Sequence, residues 1–204
     1  VHALFTLGGT IAFVAKLNPL KFFKWIISAQ SVAFTTTSSS GTLPMTTDNV
    51  VNNLGVSKPV SRFVLPLGAP INMDGTALYQ GVCAVFVAQA FGIDLTMADY
   101  GTIILTSTLA SIGTAGVPGA GLIMLSLVLT SIGLPMEGIA IIAGIDRILD
   151  MARTTVNVTG DAMVSVLISK GENELNETIY NSDVTSTVND ETTDNVRVNK
   201  VFNS

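Results

Sequence analysis

Cysteine, histidine and tryptophan occur once each in the 204 residues, and Asp, Glu, Lys and Arg together make up only 12%. The lone Cys83 excludes disulfides within the chain and any cysteine-built metal site, and it reads as a small hydrophobe. His2 is alone, so no Ser/His/Asp or Cys/His constellation can be assembled from it. Ten basic residues face 15 acidic ones, a net charge of −5, and no run of Lys/Arg with interleaved aromatics occurs. That removes nucleic acid as a partner. The glycine-rich segment 113–121 lacks the Gly-Lys-Ser/Thr ending of a phosphate loop. It also fails Gly-x-Gly-x-x-Gly, because Met124 stands where the last glycine would be needed. The chain opens on Val1 with no basic-then-apolar leader, from which an internal start within a longer polypeptide is expected.

What the chain has instead is apolar length. Hydrophobic residues make up 48% and the mean hydropathy is +0.55, outside ordinary soluble composition, which excludes a soluble enzyme and implies a membrane protein. Apolar runs cover roughly 1–15, 22–34, 60–91, 100–134 and 135–168. A bilayer span needs about 20 apolar residues. Runs 60–91 and 100–134 exceed that and are interrupted in the middle by Gly, Pro, Asn and Asp, so they are expected to be broken.

Four interruptions stand out: Ser38-Ser39-Ser40-Gly41-Thr42-Leu43-Pro44, Asn72-Met73-Asp74-Gly75-Thr76, Ser111 to Gly119, and Asn157-Val158-Thr159-Gly160-Asp161. Ser39, Gly41 and Thr42 match Ser111, Gly113 and Thr114 in spacing, and each set is followed by a proline and then by an apolar helix with a polar break. A hairpin plus a broken helix thus occurs twice, and such corresponding interruptions mark the binding site of a transporter. Irregular backbone at membrane depth survives only where protein or water satisfies it, so the four interruptions are expected to converge on one interior site. The fold class expected is an all-α membrane protein, an inverted-repeat core with two re-entrant helical hairpins and two broken transmembrane helices. Its parts would be the end of a helix and a loop at 1–20, and a core at 21–170. Within the core, the first hairpin takes about 21–56, a broken helix 59–93, the second hairpin 98–133 and the last helix 135–169.

Lys16, Lys21, Lys24, Lys58, Arg62 and Lys170 flank the runs on one side, and Asp94, Asp99 and Glu137 on the other. The positive-inside tendency makes the first side cytoplasmic. Phe22, Phe23 and Trp25 beside two lysines read as an interfacial anchor. Residues 171–204 are rich in Asn, Thr, Ser, Asp and Glu and are expected to be a disordered cytoplasmic tail. The sequons at Asn157 and Asn176 fall in a membrane helix and in that tail, so neither is expected to be used.

In the last run, Asp146, Asp150, Arg153, Asn157 and Asp161 recur at +4, +7, +11 and +15, which places them within about an 80° stripe at ~100° per residue. Charges at membrane depth are costly and mark an ion or substrate pathway. Three carboxylates against one arginine leave a negative surplus that calls for cations. Arg153 offers a planar fork to a substrate carboxylate, and Asp150, one turn earlier, can accept from an α-ammonium group. Ser39, Thr76, Thr154 and Asn157 can supply neutral hydrogen bonds. Asp74, in a helix broken by Asn72 and Gly75, suits a hard cation held by oxygens.

At these motifs, and at Asp150-Met151-Ala152-Arg153-Thr154-Thr155-Val156-Asn157-Val158-Thr159-Gly160-Asp161, the chain resembles the dicarboxylate/amino acid:cation symporters, the glutamate/aspartate transporters and neutral amino acid exchangers. The resemblance covers roughly 22–170. It implies sodium-driven symport of L-glutamate or L-aspartate across a plasma membrane, a bacterial inner membrane in this reading. It also implies the mobile part of an elevator-type homotrimer embedded in the lipid bilayer. Two or three Na+ sites are implied, with H+ an alternative coupling ion. Arg153 would bind the side-chain carboxylate, Asp150 the amino group, and Asp146 would orient Arg153, while Ser39, Thr76, Val117, Thr154 and Asn157 complete the pocket. One sodium would take Gly68, Asn72, Asn157 and Asp161, a second Pro70, Ser111, Ile112 and Thr114, and a third Asp74 with Asn72. The basic residues that relatives carry just before the tip serines and near Met151 are absent here, where Thr37 and Met151 stand; Arg147 is the neighbouring cation. A C4-dicarboxylate or neutral amino acid symporter is the alternative within the family, and a channel or receptor would not need paired re-entrant tips.

Overall fold

The structure, a computed structural model, describes residues 1–182. Among them every regular element is helical. A π-helical turn, Ala3–Leu7, leads into α1 (Gly8–Phe13). Asn18 caps α2 (Pro19–Trp25), its side chain accepting from the Leu20 amide at 2.9 Å, with Pro19 in the first turn where no donor is missed.

The first hairpin is α3 (Ile27–Thr36) and α4 (Ser39–Asp48), joined at Thr37 in a left-handed conformation with φ of 54°. Ser38 caps α4 by accepting from the Gly41 amide at 2.9 Å. A π-helical turn, Asn49–Asn53, carries the chain to α5 (Lys58–Ile71). The Asn49 side chain ties it back to α3, its oxygen accepting from the Ser28 hydroxyl at 2.8 Å and the Ala29 amide at 3.1 Å. α5 contains Pro66 and Pro70 and stops at Asn72, whose ψ of 68° is not helical. Pro70 withdraws the ladder donor that would meet the Pro66 carbonyl, while the Gly68 carbonyl still accepts from the Asn72 amide at 2.7 Å. After Met73 the chain resumes as α6 (Asp74–Ala90).

The second hairpin is α7 (Met97–Ile112) and α8 (Ala120–Ser131). A Thr96/Asp99 capping box starts α7, and Gly119, at φ of 76°, delivers the chain into α8. The run 135–169, expected as one helix, is two: α9 (Gly138–Ala143) and α10 (Asp146–Gly171), parted at Gly144 and Ile145. A buried acidic side chain thus opens a helix rather than interrupting one. The two hairpin tips touch, the Ser40 amide and the Ser38 hydroxyl donating to the Gly116 carbonyl at 3.2 and 2.8 Å.

Two large apolar cores frame the described residues, with a small third cluster of Ala29, Ala33 and Val158 between α3 and α10. One gathers Phe22, Trp25, Ile26, Leu54, Leu65 and Val166, and the other Tyr79, Cys83, Val87, Leu125, Leu129 and Ile142. α10 reaches both, with Ala162 and Val166 in the first and Leu149 against the second, so its polar stripe falls between them. Outward, large apolar side chains are bare: Phe13, Phe63, Val82, Ile104, Ile123 and Ile148 are each two-thirds exposed or more. Among the described residues no helix is long and apolar enough to cross a membrane. α6 is apolar but has 17 residues, about 25 Å at 1.5 Å per residue, whereas α10 has 26 residues and is too polar.

The segment after α10 departs from the expected disorder over residues 172–182. Asn176 caps a short helix, α11 (Glu177–Asn181), and Tyr180 is fully buried with its hydroxyl donating to the Asn18 carbonyl at 2.9 Å. One aromatic and one Asn cap, isolated in a polar stretch, give no periodicity to read. Residues 183–204 of the expected tail lie outside the described residues.

Candidate functional site

All five stripe residues of α10 are buried: Asp146, Asp150, Arg153, Asn157 and Asp161. Seven of the expected substrate ligands, Ser39, Thr76, Val117, Asp150, Arg153, Thr154 and Asn157, line one cavity of about 10 Å³. They come from both hairpin tips, the start of α6 and the middle of α10. Thr114 and Gly116 complete the wall on the second hairpin.

Asp150 is the hub of this space. One carboxylate oxygen accepts from Arg153 Nε at 2.9 Å and the Thr154 hydroxyl at 3.0 Å, and the other accepts from the Gly119 amide at 2.8 Å. The second hairpin is therefore latched to α10 through a carboxylate that is also the expected ammonium acceptor. Arg153 lies with its guanidinium carbon 4.7 Å over the Tyr79 ring. Its Nη1 is buried and has no hydrogen-bond partner among the described residues. A buried donor in that condition costs about 1–3 kcal/mol, more for a charged group.

The eighth expected substrate residue, Asp146, is one contact away. It accepts from the Tyr79 hydroxyl at 2.6 Å, and Tyr79 in turn carries the Arg153 guanidinium, so Asp146 reaches Arg153 through the phenol ring rather than directly. Tyr79 went unnamed in the sequence reading; its signal was a phenol one turn beyond Thr76 on the same helix. Gly121 was likewise missed. A methyl there would lie 1.4 Å from Arg153 Nη1, so the guanidinium keeps this place only while residue 121 has no side chain and would have to move aside otherwise. Arg147 turns away from the carboxylates and donates to the Thr37 hydroxyl at 2.6 Å and the Thr35 carbonyl at 3.1 Å, which puts its charge at the first hairpin tip.

The expected cation ligands fall at the α5–α6 break and the second hairpin. Asp161 is 4% exposed and accepts from the Asn72 amide at 3.1 Å; among the described residues no cationic side chain pairs with it. Gly68 faces it so closely that a methyl would come within 2.8 Å of its carboxylate. Asn157 binds Thr76 on both sides of its amide, at 3.3 Å from the Thr76 nitrogen and 3.0 Å from the hydroxyl, which fixes the start of α6 to α10. A buried carboxylate with one neutral donor at a helix end is an oxygen site that suits a hard monovalent cation, although the Gly68 carbonyl beside it already accepts from the Asn72 backbone amide at 2.7 Å. Asp74 differs. It is a quarter exposed and is met by His2 Nε2 at 2.5 Å. Ser111 and Thr114 are buried at the end of α7, with Ile112 half exposed, and Pro70 is exposed in the last turn of α5. Among the described residues no three His, Cys, Asp or Glu side chains converge as a metal cluster.

The sequence profile of the sodium:dicarboxylate symporter family matches residues 1–171. The chain belongs to this family. An excitatory amino acid transporter of Caenorhabditis elegans is 48% identical over 163 residues, 80% of this chain and 32% of that protein. Excitatory amino acid transporter 2 of Mus musculus is 51% identical over 149 residues, 73% of this chain and 26% of its own length. Human excitatory amino acid transporter 5 is 45% identical over 169 residues, 83% and 30% of the two chains. These symporter relatives are named as transporters, not enzymes. The chain spans about a third or less of their length.

Proposed function

We propose that this chain is the substrate- and ion-binding part of a sodium-coupled symporter for an acidic amino acid, L-glutamate or L-aspartate, set in a plasma membrane. The observation that carries the reading is Nη1 of Arg153, which has no hydrogen-bond partner among the described residues, beside Asp150 in one small cavity. A ligand with a spare carboxylate would satisfy the first, and its ammonium group would suit the second. The names of the similar transporters support the same class of substrate. A C4-dicarboxylate has no ammonium group for Asp150, and a neutral amino acid has no side-chain carboxylate for Arg153.

Asp161 with Gly68, Asn72 and Asn157 would hold one sodium, the Pro70, Ser111, Ile112 and Thr114 set a second, and Asp74 with Asn72 a third. The ion supplies positive charge beside a carboxylate that lacks it. Hairpins, α6 and α10 would move as one body relative to the rest of a homotrimer, the elevator arrangement. Support for common movement comes from the hydrogen bonds that join both tips and α6 to α10.

Calorimetric titration of the purified chain with L-aspartate, L-glutamate and succinate, in sodium and in choline chloride, tests the proposal. Amino acid binding in sodium, and little in choline or with succinate, is expected. Equal binding in the two salts overturns the coupling, and tighter binding of succinate overturns the substrate.

A further inference from the structure

Away from the cavity beneath the hairpin tips, an open cleft of about 410 Å³ lies where α4 and the π-helical turn meet the first turns of α5, lined among others by Thr47, Asp48, Lys58, Ser61 and Arg62. Lys58 and Arg62 are one turn apart on α5 and both exposed. Asp48, at the end of α4, accepts from the Asn52 amide at 2.7 Å. Among the described residues neither cation forms an ion pair with Asp48, although all three line the same cleft. Their charges therefore stand apart, two positive on α5 and one negative on α4, with the cleft between.

Apolar surface continues directly from the cations. Phe63, next after Arg62, is 71% exposed, Leu67 is 50% exposed beside the exposed Pro66, and Met45 is exposed on α4. At about 1.5 Å and 100° per residue, Phe63 stands beside Arg62 on the adjoining face of α5, and Pro66 and Leu67 lie about one turn beyond it. A ligand fitted to this order has an anionic group and an ammonium group a few ångströms apart, with hydrocarbon attached on one side. We propose that the cleft is a headgroup site for an aminophospholipid, with the phosphate against Lys58 and Arg62 and the primary ammonium against Asp48. The acyl chains run along Phe63 and Leu67. The site rests on the reading that the chain sits in a bilayer, and it differs from a bare basic patch in carrying a carboxylate that selects the zwitterion over a purely anionic lipid.

The purified chain, delipidated in detergent and exposed to equimolar dioleoyl phosphatidylethanolamine, phosphatidylglycerol and phosphatidylcholine, is assayed for retained lipid by native mass spectrometry. Phosphatidylethanolamine is expected to predominate. Removing the cations, singly and together as Lys58→Ala and Arg62→Ala, lowers retention of every phospholipid by about fivefold per cation, whereas Arg62→Lys keeps it. Asp48→Asn acts in the other direction, abolishing the preference for phosphatidylethanolamine and raising phosphatidylglycerol, a change that misfolding does not imitate. Equal retention of the three lipids by the native chain, or an unchanged preference in Asp48→Asn, overturns the proposal while leaving bilayer residence intact. A chain that retains no lipid of any class overturns both. Displacement of the lipid by millimolar glycerophosphoethanolamine or inorganic phosphate assigns the cleft to a soluble solute and overturns the lipid assignment.

Discussion

Arg153 and Asp150 sit three residues apart on one turn of α10 and are bonded to each other, yet one guanidinium nitrogen has no partner among the described residues, and the carboxylate also accepts from the Gly119 amide of the second hairpin. Arg153→Thr should weaken L-aspartate binding by about 2–5 kcal/mol, since truncating one partner of a buried charged contact leaves the other unpaired. Gly121→Ala should imitate that loss without touching the charge, because its methyl occupies the place of Nη1. Calorimetry on both variants checks the pair; unchanged affinity in Gly121→Ala would show that the guanidinium works from another position. Asp161→Asn and Asp150→Asn separate ion ligands from substrate ligands. Ion and substrate affinities are linked reciprocally, so Asp161→Asn should bind substrate poorly at low sodium and recover toward the native value as sodium rises, and Asp150→Asn should stay weak throughout. Equal recovery in both variants, across a calorimetric sodium series, would dissolve the distinction.

At the scale of elements, the breaks matter more than the helices. α5 ends at Asn72, α7 ends before Gly113 and α4 begins at Ser38, and the sequence announced each of these by Pro, Gly or a capping Ser. The stripe on α10 was legible too, because a 3.6-residue period fixes which side chains share a face. The start of α10 was not legible. Gly144 gave a weak signal, and the surrounding run of Ile and Ala reads as continuous helix. Tyr79 as the bridge from Asp146 to Arg153 was equally hidden, since local spacing does not reveal which side chain of α6 faces α10. Arg147 shows the same limit: its neighbours on α10 are carboxylates, but its bonds go to Thr35 and Thr37 at the end of α3. Arg147→Ala should therefore loosen the first hairpin tip. Amide deuterium exchange over residues 36–42 should rise severalfold relative to α7, and a uniform rise over both hairpins would point to general destabilisation instead.

For the whole molecule, the two apolar cores enclose the polar stripe, while the outer surface offers Phe13, Phe63, Ile104 and Ile123 to its surroundings. Patches of that kind need a covering phase or partner. The chain spans about a third or less of the relatives it matches, and the residues proposed to bind substrate and ion all lie within these 204 residues. Reconstituted alone in liposomes, it should bind but not accumulate labelled aspartate against a sodium gradient; gradient-driven uptake by these 204 residues would show that they suffice. The cavity beneath the hairpin tips, about 10 Å³, has a consequence in time. That space is of the order of one water-sized probe, so the proposed amino acid needs its walls to part, and the Gly119–Asp150 hydrogen bond is the contact expected to break. Encounter and occupancy are then separate events. In rapid mixing, the relaxation rate should level off or fall as substrate concentration rises, its limit being set by the opening of the latch. A rate that climbs linearly without limit would mean that the site admits its ligand through a door other than the second hairpin.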